Sequence, residues 1–471
     1  MLKLGKKRII SIMAILLSLS ISLSSCTSLR YNITNKEEND NNSNSLSDKV
    51  GSEKINEETS IGSSNINTNL NNNPNVFYDE NNVPINNKPA NSTTNSEPNS
   101  NQTNTSEIKE YPKLIDNTVR LLAGMNQNQR TAYNRICTAI GNFEENVDLK
   151  EFNLTEGEVF DCLMTASMTN LKVNYLSLDY GISSVKGKDK VVSVKLAYTK
   201  NKAQHQKDLE KLDNKIKSII DNCKVSDEYD ILKYIHDTII RDCEYDINTE
   251  NPLSAYDCLV EGKAVCEGYS KAFILLCSEF GIECLPVVGN AGDLSGNPIP
   301  HMWNLVKVDG QWLHFDVTWD DPIVLEASKD YDFVKYDYFG LSDIGISMDH
   351  EMKKISYLTY PKATSEVDDY YTTYNLVASS VEGAASLLKS EMIVAVNGNE
   401  NCVRIKLSDS STYEDVNEYV FVETVNGTEN IFEMLSEVKS ETGSQTLNSG
   451  AYSTVSYSSR NILTIILHYN Y

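Results

Sequence analysis

Two strand-like runs, HMWNLVKV (301–308) and QWLHFDVTW (311–319), are joined by Asp309-Gly310, and that dipeptide between apolar runs dictates a tight antiparallel hairpin. A type I′ turn needs positive φ at both central residues, which Asp and Gly tolerate. With a two-residue loop Val308 faces Gln311, so the register sets Leu305 opposite His314, Trp303 opposite Asp316 and His301 opposite Thr318. Directly opposed residues share a face, as do residues two apart along a strand. His301 and Asp316 are therefore diagonal neighbours, roughly 7 Å apart at the backbone and within reach of a side-chain hydrogen bond.

A third polar residue completes a chemical set. Cys266 opens CEGYSKAFILLCSEFG, where Ala272, Phe273, Leu276 and Phe280 recur at helical spacing and Gly281 is a stop. A cysteine at or just before a helix start meets unpaired N–H groups and the positive end of the dipole, which favour thiolate over a free thiol of pKa about 8.5. Cys266 is then the nucleophile, His301 the general base and acid, and Asp316 the group that orients the imidazole. The backbone N–H of Cys266 is a first oxyanion donor. Spacing does not identify the second, for which Tyr256 in SAYDCLVEGKAVC is a candidate.

Plainer readings stand beside these. Cys277 and Cys284 read as small buried hydrophobes. His314 lies on the same face as His301 but deeper in the hairpin, where packing or hydrogen bonding is its expected role. His236 falls in a periodic helix as a core or capping residue, and His205, His350 and His468 stand in no pattern with partners. Trp303 and Trp319 either wall the acyl site or fill the core. Asp320, Asp321 and Pro322 read as a strand-ending turn, and two adjacent carboxylates without further spaced ligands give little support for calcium.

The runs VEGKAVCEGYSKAF, HMWNLVKVDGQWLHFDVTWDDP and YDYFGLSDIGISMDH closely resemble the bacterial transglutaminase-like proteins. The resemblance is strong from Ser226 to His350. It is looser from Asn126 to Asp221, through NQNQRTAYNRI and LTEGEVFDC. It implies an α+β fold with a papain-like core, in which the helix bearing the nucleophile packs on an antiparallel sheet, flanked by small α/β accessory domains. It also implies a Cys266-His301-Asp316 triad acting on peptide or protein amides through a thioester, with no cofactor. The family contains crosslinking enzymes, peptidases, amidases and members without catalysis. Transfer to an amine, transfer to water, and a non-catalytic binding or wall-assembly role on the same fold thus stay open.

Lys3, Lys6, Lys7 and Arg8 precede the apolar run Ile9 to Leu23, the layout of a secretory signal. Leu23-Ser24-Ser25-Cys26 resembles the bacterial lipoprotein box, so residues 1–26 are expected to be a signal and Cys26 a lipidated anchor to the outer face of the cell membrane. Residues 27–111, rich in Asn and Ser, cannot bury a core and read as a tether without secondary structure, spanning on the order of 50 Å. The remainder divides into an accessory α/β domain (112–222), a catalytic domain (223–361) and a small α+β domain (362–471).

Helices are expected over Asn126–Phe143, from a Thr155-x-x-Glu158 capping box, over Ala203–Asn222, and over Asp227–Asp242 behind Ser226 as N-cap. In the last domain Glu382–Ser390 and Glu429–Glu441 read as helices, and MIVAVNG, CVRIKL, EYVFVET and NILTIILHY as strands, an order that hints at a duplicated unit.

A formal net charge of −24 excludes an electrostatic grip on nucleic acid or anionic lipid. It suits basic partners, such as lysine-bearing cell-wall peptides. Most cysteines stand singly on apolar positions, a pattern of buried thiols in which Cys223–Cys243 or Cys243–Cys258 pairing stays open. No CxxC or paired His-Cys spacing suggests zinc.

Overall fold

The computed structural model describes residues 8–11, 34–37, 118–184, 189–247, 252–292, 294, 296–321, 334–421 and 430–470. The chain forms two units, one drawn chiefly from Gly62–Thr318 and Asp349–Thr364, the other from Trp319–Met348 and Ser365–Tyr471. The expected accessory and catalytic segments thus fall in one unit, while 319–348 groups with the C-terminal residues.

In the first unit, helix α1 (Gln127–Asn142) starts at a capping box in which Asn126 and Gln129 satisfy each other's backbone N–H. Helix α2 (Glu156–Thr169) starts at the expected Thr155/Glu158 box. Ala132, Ile136 and Ile140 of α1 share one core with Val159, Leu163 and Ala166 of α2 and with strands β1 (Leu176–Ser184) and β2 (Val191–Tyr198). Each fully buried Leu or Ile contributes roughly 1.5–3 kcal/mol, so this face of α2 is fixed inward. Its other flank then carries Thr165, whose hydroxyl is 2.7 Å from that of Tyr357, and Ser167, which donates to Glu267 at 3.2 Å.

Helix α3 (Lys202–Asn222) matches its expected span, and α4 (Glu228–Asp242) is capped by Asp227 rather than Ser226. The Asp227 carboxylate accepts from the N–H groups of Tyr229 and Asp230, and its charge suits the positive helix end better than a hydroxyl does. Helix α5 (Cys266–Glu279) packs on a sheet whose strands in this unit run β6-β3-β4-β5: β3 is Glu283–Ala291, β4 Ile299–Val308, β5 Gln311–Phe315 and β6 His350–Met352. Every pair is antiparallel. Phe273 of α5 meets Phe315 of β5 with ring centroids 5.8 Å apart.

The hairpin has its expected turn and register. Asp309 and Gly310 have φ of 49° and 83°, and Val308 faces Gln311 while Leu305 faces His314. Glu228, at the start of α4, accepts the Asp309 N–H at 2.8 Å and ties down the turn. The second strand is shorter than expected. It stops at Phe315, and Val317–Asp320 forms a helical turn, so His301 and Thr318 do not pair. Asp316 causes the break: its Oδ1 accepts the Thr318 N–H at 3.1 Å, a local bond that competes with the strand ladder.

The second unit contains α6 (Val381–Gly398), β7 (Cys402–Leu407), α7 (Ser410–Phe421), α8 (Ile431–Thr442), β8 (Leu447–Tyr457) and β9 (Ile462–Tyr469). β9 lies antiparallel between β7 and β8, and Leu388, Ile405, Val416, Leu435 and Ile465 share the core. Two expected strands are helical. MIVAVNG ends α6, because Met392, Ala395 and Val396 extend the buried stripe begun by Ala384 and Leu388. The first four residues of EYVFVET end α7, the rest lying outside the described residues. β8 was not expected, since Asn448, Ser449 and Gly450 interrupt its alternation where its register shifts. The described order is helix, strand, helix, then helix, strand, strand.

From the N-terminal region two four-residue strands are described, Arg8–Ser11 along β1 and Thr34–Glu37 along β8. The second falls in the tether, for which no secondary structure was expected; an open sheet edge offers unpaired backbone groups to any extended segment. Cys26 and most of the apolar run lie outside the described residues. No described helix is long and apolar enough to cross a membrane. All nine described cysteines are free thiols, so neither Cys223–Cys243 nor Cys243–Cys258 is bridged.

Candidate active site

Cys266 is the first residue of α5, after Val265 in extended backbone at the cap position. It is 7% exposed and sits in a small apolar cluster with Met168 of α2, Met302 of β4 and the half-buried Val288. The next residue, Glu267, is also buried, and its carboxylate is neutralised one turn on by Lys271 at 2.7 Å. The helix start therefore carries no net charge from this pair beside the thiol.

The hairpin delivers His301 and Asp316 to one another: Nε2 of the ring lies 2.6 Å from Oδ2 of the carboxylate. Cys266 lies close enough to the ring to favour its charged form. Burial opposes a charged ring, but the charge and hydrogen bond of Asp316, with the Cys266 contact, outweigh it and push His301 up to about 9. Asp316 shows the converse. Complete burial would raise its carboxyl, yet His301 and then His350 hold it well below the usual carboxylate range.

Trp303 lies beneath this pair and does not wall a substrate site. It is 1% exposed, its indole is 17° from parallel to the His301 ring at 6.0 Å, and its Nε1–H donates to Nδ1 of His314 at 3.1 Å. His314 is thus the hydrogen-bonding core residue expected of it. Gly289, opposite His301 across the β3–β4 pair, is what admits the indole: a Cβ there would stand 2.6 Å from Trp303 Cη2 and 2.2 Å from the Glu351 carbonyl oxygen.

Sequence reasoning missed His350. From β6, on the far side of β3, its Nε2 reaches Oδ2 of Asp316 at 3.0 Å, while its Nδ1 faces Oδ1 of Asp349 at 2.6 Å. Its ring is 5.5 Å from His301 and edge-on to Trp303 at 5.0 Å. Burial works against its charge, but the two carboxylates prevail and its pKa is raised. The available signal was the adjacent Asp349-His350 pair closing the third matched run; nothing local links it to Asp316, 34 residues earlier. Among the described residues His301, Asp316 and His350 are the one group close enough to suggest a metal. Their separations of 2.6 and 3.0 Å are those of hydrogen bonds, shorter than the roughly 3.3 Å between tetrahedral ligands about 2.0–2.1 Å from zinc. We read them as a proton-bonded ladder.

Other expected positions lie elsewhere. The Tyr256 hydroxyl, a candidate oxyanion donor, gives its proton to Glu261 at 2.6 Å and accepts from Lys211 at 3.0 Å. Its one donor is committed away from Cys266. Trp319 stacks edge-on against Tyr338 at 5.2 Å, and the buried Asp320 carboxylate accepts the Tyr338 N–H at 3.0 Å. His236 is core, His205 bonds Asn174 and His468 bonds Ser453.

Residues 217–317, which include Cys266, His301 and Asp316, match the transglutaminase-like superfamily. The chain thus contains a transglutaminase-like domain, set in an α+β architecture. A domain of this kind suggests activity of the cysteine protease or acyltransferase type. Similar solved structures include a protein of Cytophaga hutchinsonii provisionally described as a cysteine protease, 25% identical over 23% of this chain and 37% of that one, with a TM-score of 0.21. Another is a TGase, 16% identical over 32% of this chain and 47% of the other, with a TM-score of 0.22. The chain thus matches less than half the length of either. Such scores carry no argument of their own, and the assignment rests on the sequence match. No curated protein sequence matches.

Proposed function

We propose that this chain is a cell-surface cysteine acyl-transfer enzyme acting on peptide or protein amides, with Cys266 as nucleophile, His301 as proton carrier and Asp316 as orienting carboxylate. The observation that carries the proposal is the 2.6 Å bond from Asp316 to one nitrogen of His301, whose charge the thiol at the start of α5 also favours. In the first half-reaction the Cys266 sulfur attacks the amide carbonyl and His301 gives its proton to the departing amine as the C–N bond breaks, leaving a thioester. In the second, an amine or water loses a proton to His301 as it attacks the thioester, and the thiol is released. The first oxyanion donor is the Cys266 backbone N–H. We further propose anchoring through a lipid on Cys26, with the Asn/Ser-rich segment as tether and cell-wall peptides as a substrate class that suits the acidic chain.

The test is alkylation of the full-length chain from pH 5 to 9, read by peptide mass spectrometry. Fast labelling of Cys266 near pH 6, lost in His301→Ala, supports the reading; labelling no faster than that of the other cysteines overturns it. One observation favours a second reading, a binding protein on the same fold: Cys266 is covered by Met168 and Met302. A full set of acyl donors that leaves no thioester on a reactive Cys266 would favour it.

A further inference from the structure

We propose that His350 is a positioning residue for the Cys266-His301-Asp316 set, a second imidazole that fixes the Asp316 carboxylate from the side opposite His301. This rests on the acyl-transfer reading of the site. The same oxygen, Asp316 Oδ2, lies 2.6 Å from His301 Nε2 and 3.0 Å from His350 Nε2, while Oδ1 takes the Thr318 N–H at 3.1 Å. A carboxylate held from three directions by β4, β6 and the turn after β5 has no freedom to rotate. Asp316 leaves the hairpin just where β5 ends, so the strand ladder alone does not orient it. His350 supplies the missing constraint.

The charge pattern gives His350 a second effect. Both of its ring nitrogens face carboxylate oxygens, Asp316 at 3.0 Å and Asp349 at 2.6 Å, and two ionised acceptors require two N–H donors. The ring is then an imidazolium, and the groups alternate in sign from Asp349 through His350 and Asp316 to His301. Among the described residues the titratable groups that act on His350 are Asp316 and Asp349, with the His301 ring 5.5 Å away. A cation at that distance draws part of the Asp316 field away from His301. It makes the His301 imidazolium more acidic, and a better proton donor to a leaving amine, than Asp316 alone would.

Two reagents separate these effects in the full-length protein. Iodoacetamide reports thiolate, and the anion iodoacetate also feels the imidazolium, so its rate at Cys266 falls on the alkaline side as His301 loses its proton. His350→Gln keeps an N–H donor for Asp316 but no charge. It should preserve fast labelling at pH 6 within about twofold and move the alkaline fall with iodoacetate up by about one to two pH units, the scale of a like charge removed from such a distance. His350→Ala removes the donor as well, and should lose at least tenfold of the pH 6 labelling. Asp349→Asn, at a partly exposed position, leaves the buried ring uncut and should shift the alkaline fall the same way as His350→Gln; it decides the matter if His350→Ala does not fold. Wild-type rates and profiles in all three variants would overturn the role of His350 while leaving the triad intact. Slow Cys266 in the wild type, unaffected by His301→Ala, would instead overturn the reading beneath it.

Discussion

Met168 and Cys266, 98 residues apart in sequence, are buried in one small apolar cluster with Met302. Cys266, the proposed nucleophile, is thus covered by a helix from the segment expected to be an accessory domain. Met168→Ala should open the roof and raise iodoacetamide labelling of Cys266 several-fold, at a stability cost of about 2 kcal/mol or more for a buried Met truncated to Ala. An unchanged labelling rate in a folded variant would mean that Met168 does not control access.

Asp316→Asn keeps the shape of the carboxylate and removes its charge. His301 then loses the attraction that holds its proton, and the acyl-transfer rate should fall by about 10,000-fold, the scale known for a triad carboxylate made into an amide. The variant should still fold, as followed by circular dichroism. Retention of more than a tenth of the rate would separate Asp316 from the chemistry.

The same ion pair sets a pH window for stability. His301 is raised to about 9 in the folded chain, so its contribution is complete below the unfolded value of roughly 6.5 and is lost as pH climbs through the folded one. Asp316 is depressed, so its contribution is present above the unfolded value of about 3.9 and is lost only as pH falls through a much lower folded value. The melting temperature of the wild type should therefore exceed that of Asp316→Asn most between pH 4 and 7, with the gap closing toward pH 9 to 10. A constant gap across that range would sink the assignment.

Gly289→Ala tests the packing under the site. The new methyl would strike Trp303 and the Glu351 backbone, and pushing the indole displaces the ring stacked on it. Overpacking of this kind costs about 1–3 kcal/mol, and Cys266 labelling at pH 6 should drop with it. Gly157→Ala, in the first turn of α2 with no atom within 4 Å of its Cβ, is the control; it should stabilise by about 0.5–1 kcal/mol and leave labelling unchanged.

Tyr256→Phe removes a hydroxyl whose proton goes to Glu261. It should cost about 1 kcal/mol of stability and leave the rate constant for acyl transfer within twofold. A loss of a hundredfold would restore Tyr256 as an oxyanion donor.

The parts of this site that were legible in the sequence are those fixed by local rules. Asp309-Gly310 demanded a turn, the turn set the register, and the register brought His301 to Asp316. Periodicity and Gly281 placed Cys266 at a helix start. His350 was not legible because its strand joins the sheet on the far side of β3, a pairing no local pattern encodes. Asp316 was read as strand because QWLHF continues into apolar VTW; the aspartate's own bond to the Thr318 N–H decided otherwise. MIVAVNG failed for a different reason, since a short apolar run fits a strand or a buried helix equally, and only the core of the second unit chooses.

The Asp309-Gly310 turn is tied to Glu228. His301 and Asp316 are fifteen residues apart on one reversal of the chain, so closing that loop costs little entropy, and the hairpin brings them together while His350 holds the carboxylate. Cys266 arrives on a separate helix. The proposed chemistry would therefore be governed less by aligning three side chains than by seating one helix end against a prebuilt acid–base ruler.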